Sequence, residues 1–307
     1  MSEASPLPLR SLLFAPGNEP RKIDKVATFG ADGIILDLED AVPDADKAAA
    51  REQVKAALPR LRRGFVAVRV NGLHTGRTEG DVAGVVAPGL DAIVLPKTES
   101  AEHVRTLDAL LARAEADAEL APGHVKILPL VETARGLLAG PEIAAASPRV
   151  VTLCFGSGDF TRDLELPSLR WSVEGTELFY ARSRMVVDAR AAGRARPIDG
   201  PFLSVRDAAG FEADCAAARK LGFQGKLCIH PAQVAVANRL FAPDPDEVAF
   251  CRRVAADFAS AVARGSASIT VDGVFVDYPI AEKAQRIVRL AETLAARDAA
   301  TPGLAQE

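Results

Sequence analysis

Short apolar runs alternate along this chain with longer segments whose apolar residues recur at helical spacing. Eight runs rich in Val, Ile and Leu lie at residues 11–16, 33–39, 65–71, 91–97, 125–132, 150–156, 196–202 and 225–231. Several of these runs are almost continuously apolar, as in parallel strands that are covered on both faces. Between them, segments such as 99–116, 174–193 and 207–221 have the amphipathic pattern of helices. Eight strands that alternate with helices predict an α/β protein folded as a (β/α)8 TIM barrel.

Two features leave room for a different arrangement. The sixth crossover, residues 157–195, is long, and the seventh run, RPIDGPF, is only weakly apolar. A doubly wound open sheet is the alternative, but it normally carries a glycine-rich nucleotide turn after its first strand. No G-x-G-x-x-G follows the first apolar run. The barrel is therefore favoured.

The chain continues beyond the eighth predicted strand. Helical patterns lie near residues 231–240 and 244–264, and a long final helix begins after VFVDYP. The dipeptide Asp272-Gly273, flanked by alternating apolar residues, is a strong signal for a two-residue hairpin. We therefore predict a barrel domain over residues 1–240 and a C-terminal helical and hairpin extension over residues 241–307.

The composition narrows the class of protein. The chain has 307 residues, of which 49% are apolar and 25% are charged, so disordered and collagen-like proteins are excluded. Its net charge of −4 gives no basic footprint for nucleic acid. No run of 18 apolar residues occurs, and the N-terminus does not resemble a signal peptide, so we expect a cytoplasmic protein without a membrane partner. The four cysteines form no close pair and are expected to pack as small buried residues: Cys154, Cys215, Cys228 and Cys251.

Polar residues gather where the predicted strands end. In a TIM barrel these ends form the mouth in which active sites are built, although a polar residue after a strand is also common as a helix cap. At least six strands end in this way, which favours a functional mouth. The residues are Asp37, Glu39, Asp40, Arg69, Asn71, Lys97, Glu132, Asp159, Asp199 and His230.

Glu132 and Asp159 follow consecutive strands and suggest a metal site. Two carboxylates at a barrel mouth suit Mg²⁺, with water and substrate oxygens completing its coordination. The alternative is that Glu132 caps the following helix and that Asp159 caps a turn. No His or Cys cluster lies near them, which disfavours zinc. The spacing alone does not separate the metal site from the caps.

Other charged residues are also candidates for ligand binding. Arg69 ends an apolar strand and could bind a carboxylate or stabilise an enolate, or it could form a buried ion pair with Glu39 or Asp40. In the first loop, Arg21, Lys22 and Lys25 lie on a short helix that could hold phosphates, although an exposed helix face has the same pattern. Among the four histidines, only the one that follows the eighth strand is placed for chemistry.

Several motifs occur in an order that resembles a known family. RSLLFAPGNEPRKIDKV, GADGIILDLEDAV, VRVNG, LPLVET, CFGSGDF, GKLCIHPAQV and VDGVFVDYP together span about residues 10–295. They resemble the citrate lyase β-subunit-like (CitE-like) group of the HpcH/HpaI aldolase superfamily, which includes malyl-CoA and citramalyl-CoA lyases. The resemblance implies a TIM barrel and a Mg²⁺-dependent carbon–carbon lyase. Such an enzyme cleaves or forms a 3-hydroxyacyl-CoA thioester, with acetyl-CoA and a 2-oxo acid as the other reactants.

The resemblance also implies roles for particular residues. The metal ligands fall on Glu132 and Asp159, and Glu39 and Asp40 would support the water shell of the metal. The catalytic arginine that binds the substrate carboxylate falls on Arg69. Contacts to CoA or to the substrate, which Glu132 also shares, fall on the first loop and on the end of the eighth strand, at Phe14, Arg21, Lys25, Ile229 and His230.

The C-terminal extension has a function in this family. An acid/base aspartate comes from the C-terminal segment of a neighbouring subunit, and the matching residue here is Asp277 of VFVDYP. The resemblance thus implies a homo-oligomer, with a trimer or a multiple of it as the expectation. It also implies that residues 241–307 pack on and cap a neighbouring subunit.

One departure from the family pattern falls beside the metal site. Many relatives read FGAED where this chain reads FGSGD, so Gly158 stands where an acidic residue is usual. Three other functions remain open at this stage. They are a divalent-metal pyruvate or oxaloacetate aldolase acting on CoA-free acids, a thioesterase or condensing enzyme using the same enolate, and the acyl-lyase (β) subunit of a citrate lyase complex. A barrel without catalytic activity is disfavoured because Arg69, Glu132, Asp159 and Asp277 are all present.

Overall fold

A computed structural model of the chain describes residues 8–61, 64–169, 171–172 and 174–300. By its internal contacts the chain divides into two compact units, residues 1–241 and residues 242–307. Within the described part of the chain, no helix is both long enough and apolar enough to cross a membrane.

The first unit is a closed barrel of eight parallel strands, which confirms the predicted fold. The strands pair in sequence order, and β8 returns to β1 through the register Ser11↔Lys226. Their bounds are β1 Ser11–Pro16, β2 Gly33–Asp37, β3 Phe65–Arg69, β4 Ala92–Leu95, β5 Lys126–Val131, β6 Cys154–Phe155, β7 Ile198–Asp199 and β8 Gly225–Cys228.

Burial on both faces explains why the strand sequences are almost continuously apolar. In β2, Ile35 belongs to the small apolar cluster inside the barrel, whereas Ile34 and Leu36 belong to the larger cluster outside it. Successive side chains of a strand point to opposite faces, so both faces of each strand must be apolar when helices surround the barrel.

β6 and β7 are only two residues long, although longer runs were predicted. The physical reason is clear in β7, where Pro197 and Pro201 lie on either side of Ile198 and Asp199. Proline has no N–H group to donate to a strand ladder, so the paired segment ends near each proline.

Helices connect the strands and end the first unit. Ser100 caps the long helix that follows β4 by accepting a hydrogen bond from the His103 N–H at 3.3 Å. A 3-10 turn over Asp44–Asp46 precedes the helix that follows β2. The helices are α1 Pro20–Val26, α2 Lys47–Ala57, α3 Thr78–Val85, α4 Ala101–Asp117, α5 Ala134–Leu138, α6 Gly140–Ala145, α7 Ser157–Asp163, α8 Thr176–Ala191, α9 Ala208–Leu221 and α10 Ala232–Phe241.

The second unit contains the predicted helices and hairpin. It consists of α11 Pro245–Ala263, the antiparallel strands β9 Ile269–Val271 and β10 Val274–Val276, and α12 Tyr278–Ala300. Asp272 and Gly273 both have positive φ, at 48° and 81°, as a two-residue hairpin turn of the type I′ class requires. The unit has a small apolar core of its own, to which both helices and both strands contribute.

All four cysteines are buried and free, as expected from their apolar surroundings. Burial raises the pKa of Cys154 and of Cys215 to about 12, so these thiols remain protonated near neutral pH. They therefore pack as small apolar side chains.

Candidate active site

A cavity of about 630 Å³ opens at the carboxyl ends of the barrel strands. Most of the residues proposed from the sequence line it, namely Phe14, Lys25, Asp40, Arg69, Glu132, Asp159, Ile229 and His230. Arg21 does not line it and is exposed, whereas its neighbour Lys22 does line it. Glu39 is buried and contacts the lining residue Arg69.

Glu132 follows β5 directly and does not cap the next helix. That role belongs to Thr133, whose hydroxyl accepts a hydrogen bond from the Gly136 N–H at 3.0 Å. The Glu132 side chain is buried and faces the cavity, and its Oε1 accepts the Lys97 N–H at 2.7 Å. The capping alternative considered from the sequence is therefore wrong for Glu132.

The end of β6 presses closely on the Glu132 side chain. A Cβ atom added to Gly156 would lie 2.4 Å from both the Cβ and the Oε2 of Glu132. Any larger residue at position 156 would therefore displace this carboxyl group. Asp159 lies in the first turn of α7, lines the same cavity and contacts Arg162 at 2.8 Å, so neither acid is used as a helix cap.

The electrostatics of this pair suit a cation. Burial, and then the neighbouring Asp159 carboxylate, raise the pKa of Glu132 to about 8, although Lys97 acts in the opposite direction. A divalent cation between two such carboxylates would relieve their repulsion, and oxygen ligands are those that Mg²⁺ prefers. No group of three or more metal-ligating side chains occurs among the described residues. The pair thus fits a metal whose remaining ligands are water and substrate oxygens.

Arg69 is held at the end of β3 by Asp37 at the end of β2. Its Nε and Nη2 donate to the two Asp37 oxygens at 2.7 and 2.6 Å, in a bidentate pair. Its Nη1 lies 3.1 Å from Glu39 and 3.4 Å from Asp40, and its guanidinium carbon lies 5.0 Å from the centre of the Phe14 ring. The sequence had suggested Glu39 or Asp40 as ion-pair partners, and both contact Arg69, but Asp37 is the bidentate partner.

These contacts fix the charges of the two residues. Burial would raise the pKa of Asp37, but the Arg69 guanidinium outweighs it and lowers the pKa below its ordinary value. Burial likewise opposes the charge of Arg69, and the attraction of Asp37 outweighs it and raises the arginine pKa. A permanently charged guanidinium therefore faces the cavity from a fixed position.

Lys97 donates hydrogen bonds to two acidic residues of the barrel mouth, Glu132 and Glu39. Its backbone N–H donates to Glu132, and its Nζ donates to Glu39 at 2.6 Å. Its φ is +49°, a conformation that is uncommon for residues other than glycine and that often occurs at functional sites. Asp37 and Lys97 were both recognised as polar strand ends, but neither was assigned to the site. Their contacts depend on distances between strands that the sequence does not give.

The remaining candidates lie at the edge of the cavity. Lys22 and Lys25 are exposed on α1, and Lys22 pairs with Glu19 at 2.8 Å. At the end of β8, Ile229 and His230 are exposed, and His230 Nδ1 accepts the Ala232 N–H at 3.2 Å. These residues give the edge two exposed ammonium groups, one of them paired with Glu19, and one exposed apolar side chain, Ile229.

Asp277 belongs to the second unit and caps its last helix. Its Oδ1 accepts the Ile280 N–H at 3.2 Å, and its backbone carbonyl accepts the Ala281 N–H at 2.9 Å. The side chain is half-buried. This capping contact uses one of the two carboxylate oxygens.

Comparisons with known proteins bear on this site. A sequence profile described as HpcH/HpaI aldolase/citrate lyase matches residues 10–231. The chain is 36% identical over 284 residues to citrate lyase subunit beta of Leuconostoc mesenteroides subsp. cremoris, covering 92% of this chain and 93% of that protein. It is 35% identical over 311 residues to the L-malyl-CoA/beta-methylmalyl-CoA lyase of Cereibacter sphaeroides, covering 94% and 96%.

Solved structures show the same similarity. CitE from Mycobacterium tuberculosis, solved in complex with magnesium, acetoacetate and coenzyme A, superposes with a TM-score of 0.73 at 31% identity. The match covers 92% of this chain and 97% of that chain. A citrate lyase from Burkholderia xenovorans LB400 has a TM-score of 0.82 at 22% identity, which bears on the fold alone.

Proposed function

The chain belongs to the HpcH/HpaI aldolase/citrate lyase family, and on that premise we propose that it is a Mg²⁺-dependent carbon–carbon lyase for 3-hydroxyacyl-CoA thioesters. The observation that carries this proposal is the cavity in which Glu132 and Asp159 lie together with Arg69. One pair of carboxylates for a metal and one fixed cation for a substrate anion are the groups that such a cleavage needs.

Glu132 and Asp159 would hold the metal, with Glu39 and Asp40 supporting its water shell. The magnesium in the related CitE structure supports this choice of ion. When bound, Mg²⁺ would polarise the hydroxyl and carboxylate oxygens of the substrate. The burial of Glu132 and the close approach of Gly156 would keep this carboxylate in one orientation.

Arg69 would stabilise the negative charge that develops during cleavage. After the substrate hydroxyl has lost its proton to solvent, its carbon becomes the C=O carbon of the released 2-oxo acid, and the electron pair of the broken carbon–carbon bond stays on the thioester half as an acetyl-CoA enolate. A guanidinium that is already fixed by Asp37 needs little reorganisation when this charge forms. Because its guanidinium lies over the Phe14 ring, an apolar surface would lie beside the acyl group.

The CoA moiety would extend over the first loop. Lys22 and Lys25 line the cavity edge, and their ammonium groups suit the phosphates of CoA. Arg21, which was expected in this role, is exposed and does not line the cavity, so Lys22 takes its place in the proposal. Ile229 and His230 would contact the substrate from the end of β8.

Asp277 would protonate the enolate, or remove the acetyl proton in the reverse direction. We propose that it acts in the cavity of a neighbouring subunit, with residues 242–307 capping that subunit in a homotrimer or a multiple of it. This arrangement accounts for an acid/base residue that lies outside the barrel unit.

The proposal is tested by following the release of 2-oxo acid from malyl-CoA and citramalyl-CoA while Mg²⁺ is titrated. Glu132→Gln and Asp159→Asn should each lower kcat by at least about 100-fold, because each removes a charged ligand. Glu212→Gln, at an exposed ion pair outside the cavity, is the matched control. Full metal-dependent activity in both cavity variants would overturn the proposal.

A complementation experiment tests the role of Asp277 in a neighbouring subunit. Asp277→Asn and Glu132→Gln should both be inactive alone. Refolded mixtures should regain part of the activity, in sites where an intact Glu132 of one subunit meets an intact Asp277 of another. Mixtures that remain inactive, while each variant still forms the wild-type oligomer, would exclude action between subunits.

One further candidate function has its own support. The similarity to citrate lyase subunit beta favours the acyl-lyase subunit of a complex, whose thioester is carried by a protein. Turnover of a protein-bound thioester without turnover of the CoA thioesters would establish this function. Cleavage of CoA-free hydroxy-oxo acids alone would instead establish an aldolase.

A further inference from the structure

Two glycines follow β6, at position 156 and at position 158 in the first turn of α7, and the structure requires only the first of them. Gly156 is required by the close approach of Glu132 described above. Gly158 has no φ in the left-handed region, and the nearest atoms to a Cβ added there are Leu203 Cδ2 and Cδ1, at 3.9 and 4.0 Å. Neither the backbone conformation nor close packing therefore requires glycine at position 158.

Gly158 also weakens the element in which it lies. It is the second residue of α7, and glycine is among the least favourable residues in a helix. The side of Gly158 on which a side chain would lie faces Leu203, and both residues line the cavity next to Asp159. What the glycine provides here is space beside one of the two proposed metal ligands.

We propose that Gly158 is a specificity-determining residue, and that the space which a Cβ would fill between it and Leu203 receives an alkyl group of the 2-oxo acid half of the substrate. This inference rests on the proposed function, because the bound oxygens of that half would lie at Glu132 and Asp159. The chemical class that it selects is a 2-oxo acid with an uncharged alkyl substituent.

The charges around this space disfavour a second carboxylate. Apolar or small residues line the cavity here, among them Leu130, Pro201 and Leu203, and the adjacent charged group is the acid Asp159. Arg162, which contacts Asp159, has a side chain that is 70% exposed and does not line the cavity.

The basic residues that do line the cavity approach it from other strands. Arg69 ends β3, Lys22 and Lys25 follow β1, and His230 follows β8. In the closed barrel β6 lies three strands from β3 in one direction and three from β1 in the other. A substrate carboxylate beside Gly158 would therefore meet leucine, proline and Asp159, and a Mg²⁺ ion held there would already be balanced by the two carboxylates of Glu132 and Asp159.

The inference is tested with CoA thioesters that release 2-oxo acids whose substituent is hydrogen, methyl, ethyl, propyl or carboxymethyl. Wild-type enzyme should cleave the alkyl substrates with a kcat/KM at least about 10-fold higher than that of the carboxymethyl substrate. Gly158→Ala should lower kcat/KM for the propyl substrate at least about 10-fold more than for the hydrogen substrate. Leu203→Ala should shift the preference towards the propyl substrate.

Binding gives a second readout that does not depend on turnover. Calorimetric titration of the free 2-oxo acids in Mg²⁺ should show the same order of Kd values, and Gly158→Ala should weaken the propyl acid selectively. Gly80→Ala is the control, because it is also a glycine near the start of a helix, and its added Cβ would meet only Arg51 Nη1 at 3.5 Å.

The outcomes separate this inference from the proposed function. If wild-type enzyme releases 2-oxo acid but Gly158→Ala leaves the ratio between substrates and the Kd order unchanged, the inference is wrong and the proposed function stands. If the carboxymethyl substrate is cleaved best, the inference is also wrong. If no thioester is cleaved and no 2-oxo acid binds, both are wrong.

Discussion

The barrel unit contains two clusters of acidic and basic side chains. They differ in whether their positive and negative charges are equal in number. The mouth cluster faces the cavity and consists of Asp37, Glu39, Asp40, Arg69, Lys97, Glu132 and Asp159. The wall cluster is sealed between the strands and the surrounding helices and consists of Arg182, Asp199, Asp214 and Lys226.

The wall cluster is electrically balanced. Lys226 donates to both Asp199 and Asp214, and Arg182 donates to the same two acids at distances of 2.8 to 3.0 Å. Burial would raise the pKa of Asp214, but Lys226 and Arg182 outweigh it and lower that pKa. Two cations and two anions thus satisfy one another without any ligand. Asp199, which its strand-end position had suggested for the mouth, belongs to this cluster.

The mouth cluster contains more acids than bases, and the excess falls on Glu132 and Glu39. Burial raises the pKa of Glu39, although Arg69 and Lys97 act against it, and the pKa of Glu132 is raised further. The comparison teaches that buried charge alone does not indicate function. An excess of acidic side chains beside a cavity does indicate function, because a bound cation would balance their charge.

The largest effect is expected when the balance of the wall cluster is broken. Lys226→Met leaves two buried carboxylates with one cation, so unfolding free energy should fall by about 3–5 kcal/mol. Chemical denaturation measures this loss. A loss below about 1 kcal/mol would mean that the cluster is not a closed set of partners.

Adding a cation should stabilise the mouth cluster. At a Mg²⁺ concentration 100 times its Kd, the free energy of unfolding should rise by about 2.7 kcal/mol. Glu132→Gln should remove this gain, whereas Lys226→Met, if it folds, should retain it. Thermal melting with and without Mg²⁺ gives the measurement, and equal gains in wild-type and Glu132→Gln protein would show that the metal binds elsewhere.

The Asp37–Arg69 pair should depend on pH in a defined direction. Because the pKa of Asp37 is lowered in the folded protein, its contribution is complete above the unfolded value of 3.8 and is lost as the pH falls through the folded value. Asp37→Asn should therefore lose about 1.5–3 kcal/mol at pH 6, and the difference from wild type should shrink below about pH 4. Urea titrations over this range test it, and a difference that grows towards low pH would contradict the assignment.

An exposed ion pair provides the smallest effect and a baseline for the others. Arg239 and Glu212 contact at 3.0 Å, with side chains 59% and 51% exposed. Arg239→Met should change the free energy of unfolding by less than about 1 kcal/mol. A larger loss, measured in the same denaturation series, would undermine the contrast between buried and exposed pairs.

Much of this molecule was accessible from its sequence. The periodicity predicted eight strands, the intervening helices and the Asp272-Gly273 hairpin, because local alternation of apolar residues reflects burial on one or both faces. The lengths of β6 and β7 were predicted less well, since prolines and pairing partners limit those strands. Strand-end polarity identified the mouth, but it could not separate Asp37, which holds Arg69, from Asp199, which lies in the wall.

The sequence by itself determined the order of the elements, the family and the residue types available at the barrel mouth. Only the tertiary structure decided which charges meet. It assigned the helix cap to Thr133 and left Glu132 facing the cavity, gave Arg69 its bidentate partner, and brought Leu203 to van der Waals distance from the side-chain position of Gly158. These outcomes depend on distances between strands that are far apart in the chain, and electrostatic and packing energies change steeply with such distances.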